Sequence, residues 1–243
     1  MAAKRSFQGT ALVTGGAKRI GQAMALKLSS LGYKIALHYH HSKREAQETQ
    51  QVIVQHKGVC ELFACDLADE AQVQSLLPAV FRKFTDLNLL INNASVFEKN
   101  GSNQFDLNLY NRHMNINLKS PYILIAAFAE LCLKGNIINI LDTHIVDNKS
   151  AYLAYLLSKK ALWELTKLAA STLAPQIRVN AVAPGLILPP VGQTDTYIQR
   201  LAQRIPLRRK GDIEHILLSI QFLLENPFLT GQVIFADGGQ HLL

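Results

Sequence analysis

The chain has 243 residues, 49% of them hydrophobic, which is enough for one well-buried core, and no Pro/Gly/Ser-rich linker, low-complexity tract or fixed-period repeat divides it. The formal net charge is +7, but the basic residues are scattered and the densest group is only Arg204, Arg208, Arg209 and Lys210; this argues against a nucleic-acid footprint and for a solvated surface that also favours anionic cofactors. The start, Met1 to Lys4, is too short and polar for a secretory signal, no apolar run approaches a membrane span, and Cys60, Cys65 and Cys132 form no CxxC and read as buried reduced thiols, so a soluble, cytoplasmic protein without membrane contact is expected.

Short β-rich runs alternate with longer helical patterns. Thr10 to Val13 is expected as a first strand, Gln22 to Leu31 as a helix, Lys34 to Tyr39 as a second strand and Lys43 to His56 as a polar surface helix. A third strand at Leu62 to Cys65, a helix at Glu70 to Phe84 and a fourth strand at Asn88 to Ile91 follow. One long helix is expected from Asn108 to Leu133, then a strand at Ile137 to Leu141, a helix at Ala151 to Ala174, a strand at Arg178 to Val182, a helix at Ile213 to Leu224 and a seventh strand at Val233 to Phe235. Strands separated by helices force crossover connections, and right-handed crossovers give an α/β fold: a doubly wound parallel sheet of Rossmann type with helices on both faces. Ligands of such folds bind at the carboxyl ends of the strands, so motifs just after strands carry the functional argument.

The first strand runs into Thr14-Gly15-Gly16-Ala17-Lys18-Arg19-Ile20-Gly21. Glycines let the backbone turn tightly and approach a pyrophosphate, while the helix that follows presents free N–H groups and the positive end of its dipole. After the second strand come His38, Tyr39, His40, His41 and Ser42, with no carboxylate to bond ribose hydroxyls or repel a 2′-phosphate. Arg19, His40 and Ser42 supply donors for that phosphate, so NADPH is the expected cofactor. No metal is expected.

The helix near Ala151 carries Tyr155 and Lys159, four residues apart and so on one helix face. An ammonium beside the phenol is expected to lower the tyrosine pKa towards a value useful for proton transfer. Tyr152 competes as the acid, but no lysine lies four residues after it.

From about Gly9 to its end the sequence resembles the short-chain dehydrogenase/reductase family. The matching elements fall in the family's order: Thr14 to Gly21, Asp66-Leu67, Asn92-Asn93-Ala94, Asn117, Tyr155 with Lys159, Pro184-Gly185, Thr230-Gly231 and Asp237-Gly238-Gly239. The resemblance implies one domain over residues 1–243, with a cofactor half over 9–100, a catalytic and substrate half over 101–243 and a substrate loop over 186–210. It implies that Asp66 and Leu67 meet the adenine region, that Asn93, Ala94, Ser95, Pro184, Gly185 and Leu186 line the cofactor, and that Asn117 steadies the active-site helix and a relay water. Lys159 would also bond the nicotinamide ribose, and a homotetramer would be the assembly. Read without the resemblance, Asp66 is a helix N-cap, Asn117 a backbone-satisfying side chain and Asn92 and Asn93 turn residues.

Two departures sharpen the reading. Asp142 stands thirteen residues before Tyr155, where most members have serine, and Arg19 stands where most have a second loop glycine. Both resemble the pteridine reductase subgroup, as do the histidine-rich segment, Ser95 after Asn92-Asn93-Ala94, and Phe97, the position of an aromatic that stacks on a pterin. Reduction of a ring C=N needs hydride at carbon and a proton at the adjacent nitrogen, to which Asp142, Tyr155 and an aromatic wall are suited. A helix or turn cap after the fifth strand is the plain alternative for Asp142, and core packing for Phe97. The expected activity is NADPH-dependent reduction of a small-molecule dihydropteridine such as dihydrofolate, dihydrobiopterin or dihydromonapterin, with Arg19, Ser95, Phe97, Asp142 and Tyr155 on the substrate. The alternatives are a 3-oxoacyl-thioester or other carbonyl reductase, for which Arg204 to Lys210 would face an acidic carrier protein, and a non-enzymatic dinucleotide-binding regulator, against which the intact Tyr155 and Lys159 pair argues.

Overall fold

The computed structural model describes residues 8–100, 105–148, 151–188 and 195–243. Seven strands form one sheet: β1 (Gly9–Val13), β2 (Tyr33–Tyr39), β3 (Cys60–Ala64), β4 (Leu87–Asn92), β5 (Gly135–Ile140), β6 (Ile177–Pro184) and β7 (Val233–Ala236). They are hydrogen-bonded in the order β3-β2-β1-β4-β5-β6-β7, and each pairing is parallel. The helices are α1 (Arg19–Ser30), α2 (Lys43–Gln55), α3 (Glu70–Lys83), α4 (Leu107–Met114), α5 (Ser120–Leu131), α6 (Leu153–Leu173), α7 (Asp195–Ala202) and α8 (Ile213–Glu225).

The alternation of side chains along each strand sorts the core into two layers. Ala11 and Val13 of β1, with Ile35, Leu37, Leu89 and Ile91, face Met24 and Leu28 of α1, Ile53 of α2 and Ile216 and Ile220 of α8. Leu12 of the same strand, with Ala36, Leu90, Ile137 and Val179, faces Leu77 and Val80 of α3, Leu124 and Phe128 of α5 and Ala169 of α6. Both faces being covered, β1 is buried throughout, as its unbroken apolar sequence requires. A buried polar thread crosses this core without a net charge: Asn92 Nδ2 donates to Asn139 Oδ1 at 2.8 Å, and Asn139 Nδ2 to Thr166 Oγ1 at 2.9 Å. Cys60, Cys65 and Cys132 are buried free thiols, and burial pushes all three upward, Cys60 to about 12.

The expected long helix from Asn108 to Leu133 is interrupted. A single turn of π-helix, Asn115–Lys119, separates α4 from α5, and the helix ends at Leu131. Such turns offset the backbone by one residue and aim side chains that a regular helix would place elsewhere; here the turn carries Asn117. The active-site helix starts at Leu153, not Ala151, with Tyr152 as its cap residue. The cap of α3 is Asp69, which accepts from the Ala71 and Gln72 N–H groups, so Asp66 is released from the capping role.

Strand order reverses between β1 and β4, and the crevice opens at the carboxyl ends of those strands. Within 186–210, the expected substrate loop, the structure describes α7 and the turns after it, while Pro189, Pro190 and Gly192 lie outside the described residues. No helix among the described residues is long and apolar enough to cross a membrane.

Candidate active site

The crevice begins where β1 ends. Gly15 has a φ of +63°, and a Cβ there would lie 3.1 Å from the Ala94 Cα, while one on Gly21 would lie 2.1 Å from the Gly15 carbonyl oxygen. The loop therefore closes only on glycine at both positions. Thr14 staples it to the end of β4: its hydroxyl accepts from the Asn93 and Ala94 N–H groups at 2.9 and 3.0 Å and donates to the Ile91 carbonyl at 3.2 Å. The Asn93 amide donates to the Thr14 carbonyl at 2.8 Å. No side chain caps the start of α1, which leaves its first N–H groups directed at the crevice.

Arg19 has a φ of +54°, the left-handed region that favours glycine. This conformation explains why a glycine is usual there, and an arginine carries a cost of about 1 kcal/mol. The return is a guanidinium that lines the clefts on both sides of the loop. A cleft of about 390 Å³ beside the loop is lined by Gly15, Lys18, Arg19, Ile20, Gly21, His38, His40, Asp66, Leu67, Asn93, Ala94 and Ser95. A glycine cradle that a Cβ would fill, an open helix end and cationic side chains together fit a phosphorylated dinucleotide.

The histidine-rich segment divides. The His38 ring is buried beneath the loop: its Nδ1 accepts from the Gly15 N–H at 2.9 Å, which assigns the proton to Nε2, and Nε2 donates to the Cys65 carbonyl at 3.0 Å. Burial pulls its pKa to about 4, so it stays neutral and supports the loop rather than offering a charge to phosphate. His38 thus lines the cleft as a neutral support of the loop. His40 lines the cleft, with Nε2 3.7 Å from Asp66 Oδ2. Tyr39, His41 and Ser42 are outside the cleft lining; the His41 ring packs on His40 at 3.5 Å between centroids, and Ser42 immediately precedes α2. Asp66 both faces the cleft and accepts from the Ala68 N–H at 2.9 Å.

At the carboxyl end of β5, Asp142 does two things at once. Its Oδ1 accepts from the His144 N–H at 2.8 Å, capping the short 3₁₀ turn Thr143–Val146, and its Oδ2 accepts from the Tyr155 hydroxyl at 2.7 Å. The cap offered as the plain alternative is therefore present, and the same carboxylate also meets the Tyr155 hydroxyl. Lys159 is buried below, its ammonium donating to the Ile140 carbonyl at 2.8 Å and standing 5.9 Å from the Tyr155 ring centre. Burial pulls this lysine down to about 8, against the opposing pull of Asp142. The Tyr155 phenol moves the other way from the sequence expectation: burial and the adjacent Asp142 carboxylate raise it well above its ordinary value. Burial and that carboxylate both favour the neutral phenol, so Tyr155 is a protonated donor and not a phenolate.

Asn117 ties the two halves together. Its Oδ1 accepts from the Val96 N–H at 2.9 Å and from the Ser95 hydroxyl at 3.2 Å, and its Nδ2 donates to the Val96 carbonyl at 3.1 Å and to Ser158 Oγ at 3.0 Å. It thus positions the Ser95 segment against the Tyr155 helix. Phe97, 49% exposed, lies 4.3 Å from the Tyr152 ring in a stacked pair and meets the Tyr155 ring edge-on at 4.7 Å. Tyr152 thus forms an aromatic wall with Phe97 and lines both of the clefts that meet here. Two contiguous clefts meet here. One of about 670 Å³ includes Lys159, Asn93, Ser95 and Ile187; the other, of about 500 Å³, runs outward past His144, Asp147, Gln240, Leu188, Leu201, Arg204 and Ile205. Arg19, Phe97, Asp142, Tyr155, Pro184 and Gly185 line both, and Leu186 lines the outer one.

Sequence reasoning did not single out Thr14 as the loop staple, nor the contact of Thr143 with Asp237, whose carboxylate also accepts from the Gly239 and His241 N–H groups. Asp237 belongs to a recognisable Asp-Gly-Gly element, but its partner is 94 residues away, and only the fold joins them. No group of three or more metal-ligating side chains occurs among the described residues.

A family model described as enoyl-(acyl carrier protein) reductase matches residues 15–241. The chain is 30% identical over 236 residues to a 3-oxoacyl-(acyl-carrier-protein) reductase of Synechocystis, covering 94% of this chain and 95% of the relative. It is 31% identical over 243 residues to the 3-oxoacyl-(acyl-carrier-protein) reductase FabG of Staphylococcus aureus, covering 96% and 98%. Among solved structures, the FolM alternative dihydrofolate reductase 1 of Brucella suis, in complex with NADP, superimposes with a TM-score of 0.92 at 34% identity over 97% of this chain and 96% of that one. The Brucella canis FolM, also complexed with NADP, gives 0.93 at 34% identity over 99% and 97%.

Proposed function

The chain belongs to the short-chain dehydrogenase/reductase family, and we propose that it is an NADPH-dependent reductase acting on a dihydropteridine. The observation that carries the substrate class is the 2.7 Å hydrogen bond from Tyr155 to Asp142 beside an exposed Phe97. Reducing a ring C=N adds a hydride to carbon and a proton to the neighbouring nitrogen. When bound, the reduced nicotinamide supplies the hydride. Gly15, Gly21 and the open end of α1 hold the pyrophosphate, and Arg19 and His40 take the 2′-phosphate. Phe97 offers an aromatic face to the heterocycle, turning binding into orientation. Tyr155, kept protonated by burial and Asp142, gives its proton to the ring nitrogen, while the Lys159 ammonium offsets the negative charge left behind. The likeness to the two FolM structures supports this reading.

A second reading, reduction of a 3-oxoacyl thioester, is favoured by the names of the sequence relatives. It needs a neutral donor to polarise a ketone, and the carboxylate of Asp142 fits that need poorly. A panel of dihydropterins and β-ketoacyl thioesters, followed by loss of NADPH absorbance, separates the two: turnover of thioesters alone would sink the pteridine reading. The proposal includes a cytoplasmic homotetramer. Exposed apolar side chains on α5, α6 and α8 (Tyr122, Leu157, Leu168, Leu218 and Phe222) support assembly, and light scattering on the purified protein measures it.

A further inference from the structure

We infer that the outer cleft ends in a cationic rim that takes an anionic tail on the substrate, so that the preferred pteridine carries carboxylate or phosphate groups beyond its ring; this rests on the pteridine reading above. The cleft of about 500 Å³ is lined by residues besides the aromatic wall and the Tyr155–Asp142 pair. Leu188, Leu201 and Ile205 give it an apolar lining, and the exposed Arg204 lines it as well. Of the aspartates that line it, Asp147 is engaged by His144 at 2.6 Å and Asp142 by Tyr155 at 2.7 Å.

The rim is also a local concentration of positive charge. Several basic side chains elsewhere have carboxylate partners, as with Lys18–Glu45, Lys34–Asp86 and Lys119–Glu70. Among the described residues, none of those ion pairs includes Arg204, Arg208, Arg209 or Lys210. Four exposed cations thus fall in seven positions, and the first of them, Arg204, lines the outer cleft. Arg209 and Lys210 line a separate recess of about 160 Å³ together with His215, Gly238 and Asp237, whose carboxylate is taken up by Thr143 and His241. The turn that bears them is fixed in place: the Leu207 N–H donates to the Gly238 carbonyl at 3.2 Å, the Arg208 N–H to Ile205 at 2.7 Å and the Gly211 N–H to Leu186 at 2.9 Å. Arg208 itself holds a left-handed φ of +49°. A rim so anchored presents its charges already organised, and like charges gathered without partners are relieved when an anion binds.

The test compares kcat/KM for dihydrobiopterin, which has no anionic tail, with that for dihydrofolate and its γ-glutamyl extension, in the full-length protein and its Arg204→Gln, Arg204→Lys and Arg209→Gln/Lys210→Gln variants. The native protein is expected to favour the tailed substrates by about tenfold, mainly through KM, a preference that falls with added salt as screening sets in. Arg204→Gln should remove most of that ratio, Arg204→Lys should keep part of it, and the double variant should blunt the gain from the γ-glutamyl extension. Equal kcat/KM for tailed and untailed substrates, or a ratio unmoved in every variant, overturns the inference while leaving the pteridine reading standing. Failure of all dihydropterins to oxidise NADPH overturns both. If the variants lower the rate only with a β-ketoacyl group on an acidic carrier protein, the rim serves a protein partner and the inference is wrong.

Discussion

The cofactor cleft and the catalytic cleft share Arg19, Ile20, Asn93 and Ser95, yet they are built on different physics. In the first, the backbone does the holding: two glycines that tolerate no Cβ, the open end of α1, and Thr14 joining β1 to β4. Side chains add to this frame at a few points, with the His38 ring beneath the loop and Arg19 and His40 in the cleft lining. In the second, chemistry resides in side chains brought from β5, α6, the π turn and the C-terminal segment, with Asp142 hydrogen-bonded to Tyr155 and Asn117 to Ser158. The first cleft defines a family and the second defines a substrate. Mutations should therefore separate them cleanly.

The largest separation is expected at Tyr155. Tyr155→Phe keeps the ring, its edge contact with Phe97 and its burial, and removes only the hydroxyl that donates to Asp142. Turnover should fall about a thousandfold while NADPH affinity, measured by titration, stays nearly the same. Asp142→Ser should cost dihydropterin reduction about a hundredfold, and should spare simple carbonyls, because a hydroxyl can still polarise a ketone. A Tyr155→Phe protein that retained most of its rate would show that the acid lies elsewhere.

The cofactor cleft has its own weak point, and it is acid. His38 has a pKa of about 4 in the fold against 6.5 for a free histidine. Between those values the unfolded chain binds a proton that the folded chain excludes, so stability is intact above about pH 6.5 and is lost as pH falls towards 4. The full shift is worth about 3 kcal/mol. His38→Gln can still accept from Gly15 and donate to Cys65 without titrating. Denaturant unfolding across this window should show a shallower pH slope in that variant, and identical slopes would mean that His38 is not the titrating group.

The same contrast explains what the sequence disclosed. The strands, their parallel order and the glycine loop were legible because backbone demands leave fixed marks: apolar runs for buried strands, glycine where no Cβ fits. Tyr155 and Lys159 were legible because they are four residues apart on one helix. Three features were not. The π turn interrupts an apolar pattern that reads as one continuous helix, and nothing local marks the offset at Asn117. His38 sits in a segment whose polar composition suggests solvent, but its side chain alternates inward on β2. The direction of the Tyr155 pKa is decided by burial and by the contact with Asp142, and spacing along a chain supplies neither.

A smaller effect is expected where the two clefts meet. Arg19→Ala removes a cation and leaves a residue strained in the left-handed region, whereas Arg19→Gly relieves that strain and removes only the cation. In the native protein NADPH should bind at least about tenfold better than NADH. Both variants should lose most of that preference, and the glycine variant should do so without loss of thermal stability. Equal affinity of the native protein for both cofactors would remove Arg19 and His40 from the phosphate site.

The smallest effect concerns Phe97, and it tests whether the aromatic wall belongs to the substrate or only to the core. One face of the Phe97 ring is stacked on Tyr152 at 4.3 Å, its contact with Tyr155 is edge-on, and half of the side chain remains exposed to the clefts. A ring that served packing alone would be buried on both faces. Stacking on a flat heterocycle is made in the ground state as well as the transition state, so its loss should appear in KM and not in kcat. Phe97→Ala is therefore expected to raise the dihydropterin KM about fivefold, within the range measured for aromatic pairs. Phe97→Tyr, which keeps the aromatic face, should restore it. The edge contact with Tyr155 provides the opposing outcome: if Phe97 mainly held Tyr155 in place, Phe97→Ala would lower kcat for every substrate and leave KM alone. Steady-state kinetics with a dihydropterin and with a flexible, non-planar ketone distinguishes the two, because only the planar substrate has a stacking interaction to lose.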